Sequence, residues 1–261
     1  MNILITGAGS GIGYDTALEL SNNHNVIALV KSKQDLIKFE NYPKINAHIC
    51  DITSNKDIES IANHKIDVLI NNAAIGESGP VDIVPINRIR KIVDTNIIGM
   101  ISMIQAFSPH MKSQKSGRII NISSVAGKIA IPYLGIYSMT KFAVEALSDS
   151  LRQELALFDI FVSVIEPGAI ATGFNEKMIS SKEDWLAKSR VTKQEISIMK
   201  KKHSNLIKDQ ADTRSVVLAI VDAVNNPKPK SRYIVPKKYN LMVKLSSCLP
   251  DKVRDFFLSL T

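Results

Sequence analysis

The sequence predicts an α/β chain folded around one doubly wound parallel sheet, and three observations predict it. Apolar runs of strand length alternate with longer stretches of helical period from residue 2 to about 165. Those runs are continuously apolar, as in strands covered by helices on both faces. A glycine-rich turn directly follows the first of them. Right-handed crossovers then place a ligand crevice at the carboxyl ends of the strands.

Residues 2–6 form the first strand, and a helix over about 11–22 follows the glycines. Strands at 25–30, 45–50 and 66–70 alternate with helices near 33–39 and 54–63. A long helical stretch, about 86–113, leads to a strand at 117–122, and a second, about 136–158, leads to one at 160–165. After Pro167-Gly168 the rhythm breaks. Residues 173–210 are polar and lysine-rich, too long for an ordinary connection, and predict a lid of short helices. A helix near 212–225, a short strand at 233–235 and a basic, apolar tail within 227–261 follow, so that 1–261 reads as a single domain without internal repeats.

With 261 residues, 45% of them hydrophobic, the chain can bury a core worth on the order of 5–15 kcal/mol net without disulfides or metals. Cys50 and Cys248 stand far apart without ligand spacing, and His24, His48, His64, His110 and His203 form no ligand pair. No metal site is expected, and both cysteines read as buried thiols. The N-terminal run lacks the regions of a signal peptide, and no segment approaches ~18 uninterrupted apolar residues, so a cytoplasmic location is expected. Of the formal charge of +8, residues 227–261 carry +6, with eight Lys/Arg against Asp251 and Asp255. No interleaved aromatics or recognised module accompany that charge, so nucleic acid is not expected as a partner.

In Thr6-Gly7-Ala8-Gly9-Ser10-Gly11-Ile12-Gly13, Gly7 suits a tight turn, Gly11 lets backbone approach a pyrophosphate, and Gly13 lets helix and strand pack closely. The helix beginning near Ile12 offers free N–H groups and a positive dipole end to phosphates. This is the Rossmann-like arrangement for a dinucleotide. At the end of the second strand an acidic residue would bond the adenosine 2′-hydroxyl and repel a 2′-phosphate, but the chain has Val30 and then Lys31. NADP(H) is therefore favoured, with NAD(H) as the alternative.

Tyr137 and Lys141 are four residues apart at the start of a helix, which puts phenol and ammonium on one face. Lowering a phenol's pKa of about 10 by ~3 units takes about 4 kcal/mol of differential stabilisation, and a neighbouring ammonium has the right sign. Ser123-Ser124 follows the fifth strand, where a hydroxyl can meet a substrate oxygen. Asn71-Asn72-Ala73-Ala74 follows the fourth, where amides can knit strand ends to the glycine loop. Asn96 lies in the long helix, where a buried amide needs partners.

In this order, Thr6-Gly7-x-x-x-Gly11-x-Gly13, Asp51, Asn71-Asn72-Ala73, Asn96, Ser124, Tyr137-x-x-x-Lys141 and Pro167-Gly168-x-x-x-Thr172 resemble the short-chain dehydrogenase/reductase family over about residues 2–172. The resemblance implies Tyr137 as general acid/base, Lys141 lowering its pKa and holding the nicotinamide ribose, Ser124 orienting the substrate carbonyl, and Asn96 anchoring a relay water. It further implies adenine binding by Asp51, with nicotinamide held by the stretch containing Pro167, Gly168, Ile170 and Thr172. Around the glycine loop, Ser10, Ile12, Asn72 and Ala73 complete the expected cofactor contacts, and a homodimer or homotetramer is implied. Two departures stand out: Ala74 where the family often has glycine, and Ser10 where some NADP-using members carry a basic residue.

The expected activity is reversible carbonyl reduction or alcohol oxidation on a small, apolar or lipid-like substrate. Two rivals are a catalytically silent nicotinamide-sensing protein, which would ordinarily have lost the tyrosine, lysine or serine, and a nucleotide-sugar epimerase or dehydratase, which would ordinarily be longer. Trp185 reads as a packing anchor of the lid or a substrate-facing aromatic. The tail joins Leu241, Val243, Leu245, Leu249, Phe256, Phe257, Leu258 and Leu260 to several lysines around Pro250. It is expected either to pack on a neighbouring subunit or near the cleft, or to rest on an anionic membrane surface.

Overall fold

In the computed structural model, which describes residues 1–186 and 189–260 and leaves aside the side chains of 183, 184, 247 and 257–260, seven parallel strands pair in the order β3-β2-β1-β4-β5-β6-β7. They are β1 (Asn2–Thr6), β2 (Asn25–Val30), β3 (Ile45–Ile49), β4 (Val68–Asn71), β5 (Gly117–Ile122), β6 (Ile160–Pro167) and β7 (Arg232–Val235). Strand order reverses between β1 and β4, and Ile3 pairs with Val26 on one side and Val68 on the other. A crevice at the carboxyl ends of these two strands follows from the reversal.

The two faces of the sheet bury separate cores because alternate strand residues point opposite ways. Ile3, Ile5, Val26, Ala28 and Ile120 join one core, with Ala17 of α1 (Gly11–Ser21) and Ile220 of α10 (Arg214–Asn225). Leu4, Ile27, Leu69 and Ile119 join the other, with Phe107 of α5 (Met100–Gln114) and Val144 of α6 (Gly135–Leu155). Short helices α2 (Lys33–Ile37) and α3 (Asn55–Ile61) begin at Ser32 and Ser54, whose hydroxyls accept from the N–H of Asp35 and Asp57.

Several boundaries differ from expectation. The stretch expected as one helix over 86–113 is α4 (Ile86–Val93), a π-helical turn (Asp94–Gly99) and α5. Gly99 lets the turn press on Ile52, since a Cβ there would lie 2.8 Å from Ile52 Cγ1. β4 starts and ends later than the apolar run suggested, taking in Asn71, and β6 runs on to Pro167.

The lid comprises α7 (Phe174–Ser180), α8 (Glu183–Leu186) and α9 (Lys193–Lys208), the last of 16 residues and longer than the short helices expected. A capping box between Thr192 and Glu195 starts α9. Trp185 anchors the lid by packing on Gly79, where a Cβ would lie 2.7 Å from its ring. Buried Lys182 binds the Ile179 carbonyl at 2.7 Å and His203 Nδ1 at 3.1 Å. The tail folds as α11 (Tyr239–Cys248) and α12 (Asp251–Leu260) on either side of Pro250. Cys50 is buried as expected, but Cys248 is exposed because it faces outward on α11. Among the described residues no helix is long and apolar enough to cross a membrane.

Candidate active site

At the carboxyl end of β1 the chain turns through Gly7 and Gly11, both left-handed at φ +66° and +55°. Gly7 also lies against Ala73, where a Cβ would sit 2.8 Å from Ala73 Cα. Thr6 Oγ1 accepts from the N–H groups of Asn72 and Ala73 at 3.0 and 2.9 Å, and Asn72 Nδ2 donates to the carbonyls of Thr6 and Gly7, each at 3.0 Å. The expected knitting of β4 to the glycine loop is present. Ser10, extended at φ −162°, hands over to α1, whose first turn contains Ile12 and Gly13 and no acidic side chain. A backbone cradle with free helical N–H groups fits a pyrophosphate.

Lys31 and Asp51 meet at the mouth of this cradle, Nζ to Oδ2 2.9 Å apart. Burial pushes the Asp51 carboxyl up, but hydrogen bonds from Thr53 and Lys31 outweigh it and hold the group below its usual range. Two residues there escaped sequence reasoning. Asp35 packs under Gly9, and Lys38 Nζ binds both Asp35 Oδ1 at 2.6 Å and the Gly9 carbonyl at 2.7 Å. The only signal was their i,i+3 spacing at the end of α2, which any solvated ion pair shares.

A cleft of about 460 Å³ runs from the glycine loop to Tyr137, passing Lys31, Asn72, Ser124 and Thr172. Tyr137 and Lys141 are buried on one face of α6, with Lys141 Nζ 5.7 Å from the phenol ring centre and donating to the Ile122 carbonyl at 2.8 Å. Burial pushes the Tyr137 phenol up to about 12, against a lowering by its hydrogen bond with Ser124. Burial likewise brings Lys141 down to about 8, with Glu145 pulling the other way. The phenol is therefore held as a neutral proton donor. Burial and Ser124 are the influences on the phenol, while the Lys141 ammonium is turned to the Ile122 carbonyl.

Ser124 donates to the Pro167 carbonyl at 3.2 Å and accepts from Ala126 N–H at 3.1 Å, which fixes its hydroxyl beside Tyr137. Asn96, aimed inward by the π turn, accepts from Ile75 N–H at 2.9 Å and donates to the Ile75 carbonyl and to Thr140 Oγ1. Its amide ties the β4 loop to α6 one residue before Lys141. A π turn inside an α-helix is often found at a functional site.

Beyond Pro167, Gly168 N–H donates to the Val235 carbonyl at 2.8 Å, Ile170 bridges to Ala211, and Thr172 closes over Gly11, where a Cβ would lie 2.8 Å away. Gly168 touches the Tyr239 ring so closely that no side chain fits. Tyr239 and Met242 of α11 line the cleft, so the tail folds back over the site. Val243 is buried there, whereas Leu241, Leu245 and Phe256 are exposed and the side chains of Phe257, Leu258 and Leu260 lie outside the described residues. Ile131, Leu134, Phe174, Met178, Leu206 and Met242 add an apolar lining to the cleft.

A family model described as short chain dehydrogenase matches residues 1–183. A 3-ketodihydrosphingosine reductase from Bacteroides thetaiotaomicron is 33% identical over 98% of this chain and 96% of its own. A Burkholderia phymatum short-chain dehydrogenase/reductase, solved with NAD, superposes with a TM-score of 0.82 at 20% identity over 94% of this chain and 92% of its own. ElxO, solved with NADP, superposes with a TM-score of 0.72 at 27% identity over 89% of this chain and 95% of its own.

Proposed function

This chain belongs to the short-chain dehydrogenase family and is an oxidoreductase acting on CH–OH groups with a nicotinamide dinucleotide; we propose that it uses NADP(H) and reduces the carbonyl of an apolar, lipid-like substrate. The observation that carries this reading is the convergence of Ser124, Tyr137 and Lys141 at the apolar end of a cleft whose other end is the glycine cradle beside Lys31. The dinucleotide, when bound, supplies or accepts the hydride.

Gly7, Ser10, Gly11, Ile12 and Gly13 would hold the pyrophosphate, with Asn72 and Ala73 backing the loop. Lys31 would meet the 2′-phosphate, Asp51 the adenine, and Pro167, Gly168, Ile170 and Thr172 the nicotinamide end. Ser124 Oγ orients the substrate oxygen. Tyr137 gives that oxygen its proton, and burial keeps the phenol protonated until the substrate oxygen takes that proton. Lys141 restores the proton through the polar groups around Asn96 and stabilises the phenolate it leaves. The intact serine, tyrosine and lysine favour turnover over a silent sensor.

The apolar lining and the 33% identity to a 3-ketodihydrosphingosine reductase support a long-chain substrate. The test is consumption of NADPH and NADH with long-chain 3-keto amines, steroid ketones, retinal and small ketones. Long-chain ketones reduced with NADPH at the highest kcat/KM support the reading. A preference for small polar carbonyls contradicts it.

A further inference from the structure

Behind Lys141 lies a buried charge cluster that the reaction above does not use. Glu166, near the end of β6, has no exposed surface, and Glu145, one turn beyond Lys141 on α6, is buried too. Arg232 Nε lies 3.1 Å from Glu145 Oε2 and 3.2 Å from Glu166 Oε1, while its Nη2 holds Asp149 at 2.7 Å. Lys128 Nζ lies 3.0 Å from Glu145 Oε2 and 3.9 Å from Glu166 Oε1. Arg152 pairs with Asp149 from the solvent side at 2.9 Å.

Lys128, Arg152 and Arg232 match Glu145, Asp149 and Glu166 in number, but Asp149 takes Arg152 and one arm of Arg232, so the two glutamates share what remains. Glu145 Oε1 and both Glu166 oxygens also receive no hydrogen bond. A buried carboxylate oxygen without a donor is costly, and a proton held between the two carboxyls supplies the donor.

Each segment that carries the reaction enters this cluster. Lys128 follows Ser124 by way of the 3₁₀ turn Val125–Gly127, and Glu145 shares α6 with Tyr137 and Lys141. Glu166 precedes Pro167, and Arg232 opens the strand whose Val235 carbonyl binds Gly168. Lys141 in turn feels the charge of Glu145, one turn away on α6.

We propose that Glu145 and Glu166 share one proton and act as positioning residues, clamping the segments of Ser124, Lys141 and Gly168 together and holding Lys141 as an ammonium as pH rises. When the shared proton leaves, the pair passes from one negative charge to two, and its attraction for the Lys141 charge grows. Burial and the charge of Glu145 push Glu166 up to about 7, and burial brings Lys141 down to about 8. The second negative charge therefore arrives in the same neutral-to-alkaline range in which burial would strip Lys141 of its proton.

The inference rests on the reading of Lys141 as partner of Tyr137, so its test has one readout that needs no turnover. Carboxyl-¹³C glutamate NMR of the resting full chain is expected to show one resonance titrating near pH 7 that vanishes in Glu166→Gln. In pH profiles of kcat, Glu145→Gln is expected to move the alkaline limb down by about one pH unit or more, since a unit is the scale set by one nearby charge. Glu166→Gln keeps the Glu145 charge and is expected to move it less. No glutamate titrating above about pH 6 overturns the shared proton. Variants that lose thermal stability while the alkaline limb stays in place overturn the coupling to Lys141 and leave a structural clamp. A near-neutral glutamate in an enzyme whose turnover ignores Tyr137 would remove the functional reading and leave the shared proton standing.

Discussion

Lys31 and Asp51 form an ion pair, 2.9 Å from Nζ to Oδ2, across the carboxyl ends of β2 and β3 at the mouth of the glycine cradle. Both side chains are about half exposed (56% and 41%), so the pair contributes little to stability and opens readily. A 2′-phosphate arriving there replaces one carboxylate partner of Lys31 with another anion. A charge-assisted hydrogen bond is worth about 1.5–3 kcal/mol, so Lys31→Ala is expected to weaken NADP(H) roughly 10–150-fold and spare NAD(H). Fluorescence titration with both cofactors checks it, and equal weakening of the two removes Lys31 as the selector.

The Tyr239 ring fills the space in which a Gly168 side chain would stand. Gly168→Ala must displace α11 or the loop, and overpacking of this kind costs about 1–3 kcal/mol. Thermal denaturation is expected to show a lower Tm and kinetics a raised KM. Combining it with Tyr239→Ala should recover part of the loss, because the two residues share one contact. Simple additivity of the two changes would show that the contact does not matter.

Burial and the adjacent Lys182 charge pull His203 down to about 4, so the folded lid keeps this ring neutral where the unfolded chain protonates it near 6.5. The associated stability is fully present above about pH 6.5 and drains away as pH falls toward about 4. Thermal unfolding at several pH values is expected to show a smaller acid loss in His203→Asn than in the parent. Parallel curves would mean that the ring does not titrate in the linked range.

Most of the sheet was legible because parallel strands covered on both faces leave long apolar runs, and five of the seven strands begin where those runs begin. Asn96 was legible as a buried amide but its π turn was not, since one extra residue in a helical stretch barely disturbs hydrophobic period. Tyr137, Lys141 and Ser124 were marked by spacing and by position at strand ends. Asp35, Lys38 and Tyr239 were not, because their importance lies in contacts to Gly9 and Gly168 from distant parts of the chain. The raised phenol pKa was likewise hidden, as it depends on burial that spacing does not report.

Single-turnover reduction by Tyr137→Phe, followed alongside its NADPH affinity, tests whether the Tyr137 phenol moves the proton. The variant removes one hydroxyl from a ring packed at 5.7 Å on Phe174, so the fold and cofactor binding should persist. The rate is expected to fall about 10²–10⁴-fold, the usual contribution of a general acid. A fall of less than about tenfold, with NADPH affinity intact and proton transfer shown to limit the step, would contradict the assignment.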